Sequence, residues 1–264
     1  MKKTRKLIEC ALLVAIAAVL SFVKLADLPY GGSVTAASML PILIIAYRHG
    51  LGYGLGSGLV FAIIQQLMGL NNLSYVTGWK SVVAVIVLDY ILAFAVLGFG
   101  GVFKGKLRHS GAELALGALL TCLVRYGFHV IAGATVWAGL SIPDSAALGY
   151  SFVYNATYMI PETIVLVIAG YYIASVMDFE KDIPVRKARE KGGVLQIVSG
   201  LILSAALIFD TVAVFSVLQD GETGEFCMPN IVNAPWLAIA IVSAVCVLVS
   251  AILFIIPRMK NKAN

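Results

Sequence analysis

The sequence predicts an all-α polytopic membrane protein. Of its 264 residues, 60% are hydrophobic and only 12% are charged, and the mean hydropathy is +0.95. A soluble domain carries about 25% charged residues, so this chain has half the charge that a soluble surface needs. Apolar runs of about 18 residues or more recur, and each is long enough to cross a bilayer as a helix. The composition therefore excludes a disordered chain and a cytosolic enzyme.

Eight apolar spans are predicted along the chain. The first follows the basic segment 1–6 and has no small-residue cleavage site, so we expect a retained anchor and not a signal peptide. The second is too short to cross alone and is expected to extend back into the preceding loop. The spans are residues 7–25, 37–48, 51–70, 80–103, 111–137, 147–176, 193–218 and 232–256.

The distribution of lysine and arginine predicts the orientation of these spans. If the N-terminus is cytoplasmic, 16 of the 19 basic residues fall on the cytoplasmic side, and only Lys24, Lys80 and Arg125 do not. Cytoplasmic loops of membrane proteins carry an excess of basic residues. We therefore expect a multi-pass protein of the plasma membrane with both termini in the cytoplasm.

One long charged segment divides the predicted spans into two groups. Residues 178–192 are predicted to form a cytoplasmic linker between a six-helix body, residues 1–177, and a two-helix membrane appendage, residues 193–264. Asp210 is the only charged residue inside the spans of the appendage. Nothing in the appendage indicates chemistry, and its role is not assigned.

Motifs for metals and nucleotides are missing from the sequence. The four cysteines show neither CxxC nor Cys/His ligand spacing. Residues 100–106 satisfy G-x-x-x-x-G-K, but Leu107 stands where a P-loop has Ser or Thr, and the segment ends a membrane span. We therefore expect no cofactor and no metal, and partners that include the lipid bilayer but no nucleic acid.

Polar and aromatic residues cluster in the outer halves of the fourth to sixth spans. An ionisable residue at mid-membrane costs at least about 2.5–3.5 kcal/mol, so each one needs a function or a partner. Aromatic faces beside a carboxylate, an imidazole and an amide suit a flat, cationic, nitrogen-rich ligand. The candidates are Asp89, Tyr90, Arg125, His129, Trp137, Tyr150, Tyr154, Asn155, Tyr158 and Glu162.

Several of these residues have a second interpretation. Arg125 and Glu162 are interpreted as a structural ion pair, whereas Asp89 either contacts a ligand or pairs with Arg125. Trp137 either stacks on a ligand or belongs to an interfacial aromatic belt. His129 is the only evident base, and no nucleophile lies at a suggestive spacing from it, so we do not expect an enzyme.

Ordered segments of residues 7–177 resemble a known family, the thiamine-specific substrate-binding components (S components) of energy-coupling-factor (ECF) vitamin transporters. The segments that carry the resemblance are Ala11–Ser21, Gly32-Ser33, Met39–Ile42, Tyr47–Gly50, Asp89-Tyr90, Phe94, His129, Ala132-Gly133, Trp137 and Tyr150–Glu162.

The resemblance implies high-affinity thiamine binding near the outer face of a six-helix S-component bundle, followed by two additional C-terminal transmembrane helices. A separate transmembrane coupling protein and two ATPase subunits would supply the energy. The alternative is an ion-coupled secondary transporter for a small cationic heterocycle, with Asp89, Arg125 and Glu162 as a relay. Such transporters usually contain internal repeats, and we find none here.

The resemblance also implies roles for individual residues. Ala11 and Ala15 match the small-residue motif that docks on the coupling protein. The residues that match the thiamine-binding set are Asp89, Tyr90, His129, Trp137, Tyr150 and Asn155.

Two departures from the family pattern bear on the predicted site. The family usually has glutamate where this chain has Asp89, which is one methylene shorter. It also has a tryptophan in the first outer loop, where this chain offers Tyr30. We expect this loop, residues 29–36, to close over the ligand as a lid.

Overall fold

The computed structural model describes residues 2–139, 144–187, 193–218 and 228–262. These residues form two compact units, Met1–Lys187 and Ala188–Asn264. The last part of the predicted linker, residues 188–192, lies outside the described residues.

The predicted all-α membrane fold is confirmed. Four helices of the first unit and both helices of the second are long and apolar enough to cross a membrane. The other two predicted spans correspond to α1, which begins with basic turns, and to α2, which has only ten residues. The helices of the first unit are α1 (Lys2–Ser21), α2 (Leu40–His49), α3 (Leu51–Met68), α4 (Trp79–Gly101), α5 (Ser110–Gly139) and α6 (Asp144–Val176).

A β-hairpin, here the first hairpin, connects α1 to α2. Strand β1 (Lys24–Asp27) pairs antiparallel with β2 (Ser33–Thr35), and the tight turn Pro29–Gly31 joins them. Tyr30 and Gly31 have φ angles of 62° and 93°, a left-handed conformation that glycine adopts at little cost. The expectations that the first span continues to residue 25 and that the second extends back as a helix are therefore wrong.

The short helix α2 lies in the middle of the first unit. Its apolar side chains Ile42, Leu43 and Ile45 are fully buried, and they belong to one core together with Phe61 of α3 and Leu114 of α5. A helix surrounded by other helices need not cross a bilayer by itself. This position explains how a ten-residue apolar helix is accommodated.

Helix α4 is irregular along most of its length. Residues Val85–Leu92 form wide π-helical turns, and Val96–Gly101 tighten into a 3-10 helix. A π-helical segment is rare and occurs frequently at functional sites. The 3-10 end packs closely on its neighbours: a side chain at Gly98 would overlap the backbone of Leu55, and one at Gly117 of α5 would overlap the Gly100 carbonyl oxygen.

A second hairpin follows α6, within the segment predicted as a linker. Strands β3 (Met177–Asp178) and β4 (Val185–Arg186) pair antiparallel and belong to the first compact unit. Arg48 holds this hairpin to α1: its Nε lies 2.5 Å from Glu9 Oε1, and its Nη1 donates to the Phe179 carbonyl oxygen at 2.8 Å. The residues just after α6 are thus part of the packed body.

The second unit consists of helix α7 (Gly193–Leu218), a 3-10 turn (Met228–Asn233) and helix α8 (Trp236–Lys262). The hydroxyls of Ser199 and Ser250 each donate to the other residue's carbonyl oxygen, at 2.9 and 3.0 Å. Asp210 accepts a hydrogen bond from Ser243. The two serine hydroxyls and one carboxylate oxygen of Asp210 are therefore satisfied between the two helices, as a lipid environment favours.

Candidate functional site

A cavity of about 590 Å³ lies in the first unit, between the first hairpin and helices α3 to α6. Pockets for small ligands typically measure about 300–1,000 Å³. The cavity therefore has the size of a small-molecule site. The predicted residues that line it are Tyr30, Asp89, Tyr90, Arg125, His129, Trp137, Tyr154, Asn155, Tyr158 and Glu162.

Asp89 lines the cavity from helix α4. It lies in the π-helical part of α4, and its Oδ1 is hydrogen-bonded to His129 Nδ1 of α5. The other ring nitrogen of His129, Nε2, is 3.3 Å from Nη2 of Arg125. Because a guanidinium only donates, Nε2 accepts and Nδ1 carries the proton that is donated to Asp89. The Asp89 side chain is 31% exposed, so it keeps acceptor capacity for a cation.

Arg125 is buried beneath the cavity, and its charge is not isolated. Its guanidinium lies over the Phe94 ring at 4.6 Å, contacts the Met39 sulfur, and approaches Glu162 Oε2 at 3.9 Å. Glu162 in turn accepts a hydrogen bond from the Thr35 hydroxyl at 2.9 Å. Asp89 contacts His129 and not Arg125 in this arrangement.

Aromatic rings form one wall of the cavity. Trp137 of α5 meets Tyr30 of the first hairpin at a centroid distance of 5.2 Å and Tyr154 of α6 at 5.4 Å, both edge to face. Tyr154 continues to Tyr158 at 5.8 Å. The Tyr154 hydroxyl also accepts the backbone N–H of Gly32 at 3.0 Å, which attaches the first hairpin to α6.

Two predicted residues support the cavity wall more than they line it. Tyr150 is outside the lining and packs behind Trp137, with ring centroids 6.2 Å apart. Asn155 reaches the lining, but its amide nitrogen donates to Ser151 and to the His129 carbonyl oxygen, and its oxygen accepts from Tyr158 at 2.6 Å. Asn155 thus fixes the position of the α5 backbone at His129.

Tyr90 faces the cavity next to Asp89 and connects α4 to the loop after α3. Its hydroxyl accepts from the Asn72 amide at 3.2 Å and lies 3.4 Å from the Gly69 carbonyl oxygen. Asn72 also packs directly against Gly31 in the turn of the first hairpin. Asn72 and Thr35 were not among the sequence candidates, because neither is ionisable or aromatic and both lie in predicted loops.

Ala11 and Ala15 lie away from the cavity. Both are exposed on the same face of α1, whereas Cys10, Val14 and Ala17 face the core. Among residues 2–139, 144–187, 193–218 and 228–262, no three His, Cys, Asp or Glu side chains come together as metal ligands.

The sequence matches a family model over most of the first unit. Residues 7–179 match the model described as thiamine transporter protein, which is more than half of the chain. The chain belongs to the thiamine transporter protein family. Together with its apolar helices, this membership makes it a multi-pass membrane protein.

Two relatives of this thiamine transporter family member agree with the match. The thiamine transporter ThiT of Bacillus subtilis (strain 168) is 34% identical over 178 residues, which cover 63% of this chain and 88% of the relative. A solved structure of ThiT from Listeria monocytogenes superposes with a TM-score of 0.54 at 26% identity, and covers 66% of this chain and 95% of that one. The family is one of transporters and not of enzymes.

Proposed function

We propose that this chain is the thiamine-binding S component of an ECF-type transporter and that the cavity holds the vitamin. The observation that carries the proposal is the Asp89–His129 pair facing the aromatic wall around Trp137. Thiamine is a flat, cationic, nitrogen-rich heterocycle, so it needs a carboxylate for its charge and rings for its faces. Membership in a thiamine transporter family supports the same substrate.

The proposed contacts follow from the geometry of the cavity. The Asp89 carboxylate balances the positive charge, and Tyr90 and the ring of Trp137 contact the heterocycles. A cation beside a carboxylate and an aromatic ring is attracted by both. Tyr30 closes the cavity from the first hairpin, in the place of the family's loop tryptophan, while Tyr150 and Asn155 hold Trp137 and His129 in position.

Thiamine titration of the purified protein in detergent, followed by tryptophan fluorescence, tests this proposal. We expect saturable quenching at nanomolar to low-micromolar thiamine, because Trp137 lines the cavity. Trp137→Phe should abolish the quenching. Trp79→Phe is the matched control, since Trp79 is 74% exposed and not part of the lining, and it should leave the quenching intact. A protein that binds another vitamin but not thiamine would contradict the choice of substrate.

The energy source is proposed to lie in separate subunits. The sequence contains no complete nucleotide-binding motif, and we propose that an ECF transmembrane coupling protein and two ATPase subunits drive uptake. Docking is assigned to Ala11 and Ala15, whose exposure on α1 supports close approach of another helix. Ala15→Trp should leave thiamine affinity unchanged and abolish uptake by the reconstituted complex. Uptake by the chain alone, abolished by collapsing an ion gradient, would instead support an ion-coupled transporter.

The proposed orientation places the protein in the plasma membrane with both termini in the cytoplasm. The bias of 16 of 19 basic residues supports it. The cavity then opens toward the outer side, near Lys24, and residues 178–192, of which 178–187 belong to the packed body, lie on the cytoplasmic side. Protease accessibility of the linker in sealed inside-out vesicles, but not in right-side-out vesicles, is the expected result.

A further inference from the structure

A network of five side chains lines one side of the cavity and joins α4 to the first hairpin. It begins at Asp89, which is hydrogen-bonded to His129, and His129 Nε2 is 3.3 Å from Arg125 Nη2. Arg125 Nη1 is 3.9 Å from Glu162 Oε2. Glu162 Oε1 accepts a hydrogen bond from the Thr35 hydroxyl at 2.9 Å. We call these residues the buried network. It therefore connects four elements, α4, α5, α6 and β2, that are far apart in sequence.

The buried network is shielded from water along most of its length. The residues after Asp89 are only 3% to 6% exposed. Hydrogen bonds to charged groups are stronger than neutral ones, and a buried group that loses its partner retains the full desolvation cost. The position of Thr35 is thus strongly coupled to the carboxylate of Glu162.

Thr35 is the last residue of β2, where the first hairpin joins the packed body. Its hydroxyl also lies 2.8 Å from the Ser38 hydroxyl, and its Cα pairs with Lys24 of β1. The other end of the hairpin is held by ring contacts of Tyr30 with Trp137 and Tyr154, by the Gly32 N–H that donates to the Tyr154 hydroxyl at 3.0 Å, and by Asn72, which packs on Gly31. The hairpin is therefore fixed at its base by a hydrogen bond to the Glu162 carboxylate and at its tip by ring contacts and a hydrogen bond to a tyrosine hydroxyl.

We propose that Thr35, acting through Glu162, is a positioning residue that holds the first hairpin over the bound ligand and thereby sets the dissociation rate of thiamine. This inference rests on the proposed function. Ligand release requires the hairpin to move away from Trp137, and that movement is opposed by the Thr35–Glu162 bond. Thr35 also lines the cavity, but its hydroxyl is engaged by Glu162 and Ser38, so the ligand charge is balanced at Asp89 and not at Thr35.

The test compares three variants of the full chain in detergent by stopped-flow tryptophan fluorescence. Thr35→Val keeps the β-branched shape and removes the hydroxyl, and Thr35→Ser restores a hydroxyl. Thr121→Val is the matched control: Thr121 is fully buried, but its hydroxyl donates to the Ala118 carbonyl oxygen of its own helix. We expect Thr35→Val to raise the dissociation rate about tenfold with an unchanged association rate, while Thr35→Ser and Thr121→Val behave as wild type.

Hydrogen exchange without ligand separates this inference from the proposed function. Thr35→Val should accelerate exchange of residues 24–35, and Thr121→Val should not. If wild type fails to bind thiamine while this difference is present, the substrate is wrong but the anchor is supported. Unchanged exchange of residues 24–35 in Thr35→Val, an unchanged dissociation rate, or a Thr35→Ser variant that behaves like Thr35→Val would each overturn the proposal.

Discussion

At the scale of single residues, three carboxylates line the described cavity, and they differ in their partners. Asp89 shares its His129 partner with Arg125, so the imidazole is fixed from both sides. Asp27 also lines the cavity, but it is 59% exposed and paired with Lys24 at 2.9 Å. Glu162 faces Arg125. The position that can balance a bound cation is therefore Asp89.

Replacing this carboxylate tests its role directly. We expect Asp89→Asn to weaken thiamine binding about 10- to 100-fold, because a hydrogen bond to a charged group is worth about 1.5–3 kcal/mol. Asp27→Asn is the control, since its charge is solvated and already paired, and its affinity should be that of wild type. Isothermal titration calorimetry in detergent measures both variants. Equal losses in the two would mean that general cavity charge, and not Asp89, attracts the ligand.

At the scale of elements, the packing of the first unit depends on how closely the irregular end of α4 approaches α3 and α5. Glycines at the crossing points let backbones meet where a methyl group has no room, as is usual for helices packed in membranes. Gly117 of α5 faces the Gly100 carbonyl oxygen, whereas Gly127 of the same helix faces open space. The two glycines therefore differ in what a side chain would meet.

This difference predicts opposite outcomes for the same substitution. Gly117→Ala forces α4 and α5 apart and is expected to cost about 1–3 kcal/mol of folding free energy, the usual cost of overpacking. Gly127→Ala should leave stability unchanged or slightly raised, since alanine is the better helix former. Thermal unfolding in detergent by circular dichroism compares them. A similar melting temperature for both variants would show that the α4–α5 contact tolerates expansion.

The second hairpin gives another prediction at this scale. The Arg48 side chain is only 4% exposed and joins α1 to the second hairpin. The ion pair between Lys104 and Glu180, by contrast, is half-exposed. Arg48→Ala removes the guanidinium that pairs with Glu9 and holds the Phe179 carbonyl oxygen, while Glu9 keeps His49 at 3.1 Å, so the expected cost is about 1.5–3 kcal/mol. Lys104→Ala should cost about 0–1 kcal/mol. Denaturant unfolding in mixed micelles measures both, and similar losses would contradict a special role for Arg48.

At the scale of the whole molecule, the described cavity and the family match belong to the first compact unit. The lining residues fall between Ser21 and Glu162, and the match to the family ends at residue 179. The second unit, residues 188–264, supplies none of that lining. Ligand binding is therefore expected to be a property of the first unit.

Deleting residues 188–264 tests this division. We expect the truncated protein to bind thiamine with the affinity of wild type, because the lining and the core around α2 are both retained. Fluorescence titration gives the affinity, and the melting temperature serves as the control for folding. A truncated protein with normal stability and lost affinity would assign a binding role to the appendage.

The sequence by itself determined the class of the molecule and most of the residues around the cavity. Apolar run length, low charge and basic loops are local properties of the chain, and they identify membrane helices without knowledge of their packing. The ordered segments between Ala11 and Glu162 indicated the family, which the match over residues 7–179 confirmed. The roles of Asp89, Trp137 and the other candidates remain predictions.

Only the tertiary structure decided how these residues are connected. The Asp89–His129 contact joins residues 40 positions apart, and the Thr35–Glu162 contact joins residues 127 apart. Hydropathy and helical spacing carry no information about such pairs, since they depend on the register between helices. The same holds for the first hairpin and for the π-helical turns of α4. Both are set by what packs against them, and an apolar stretch such as 85–92 looks the same in any helical form.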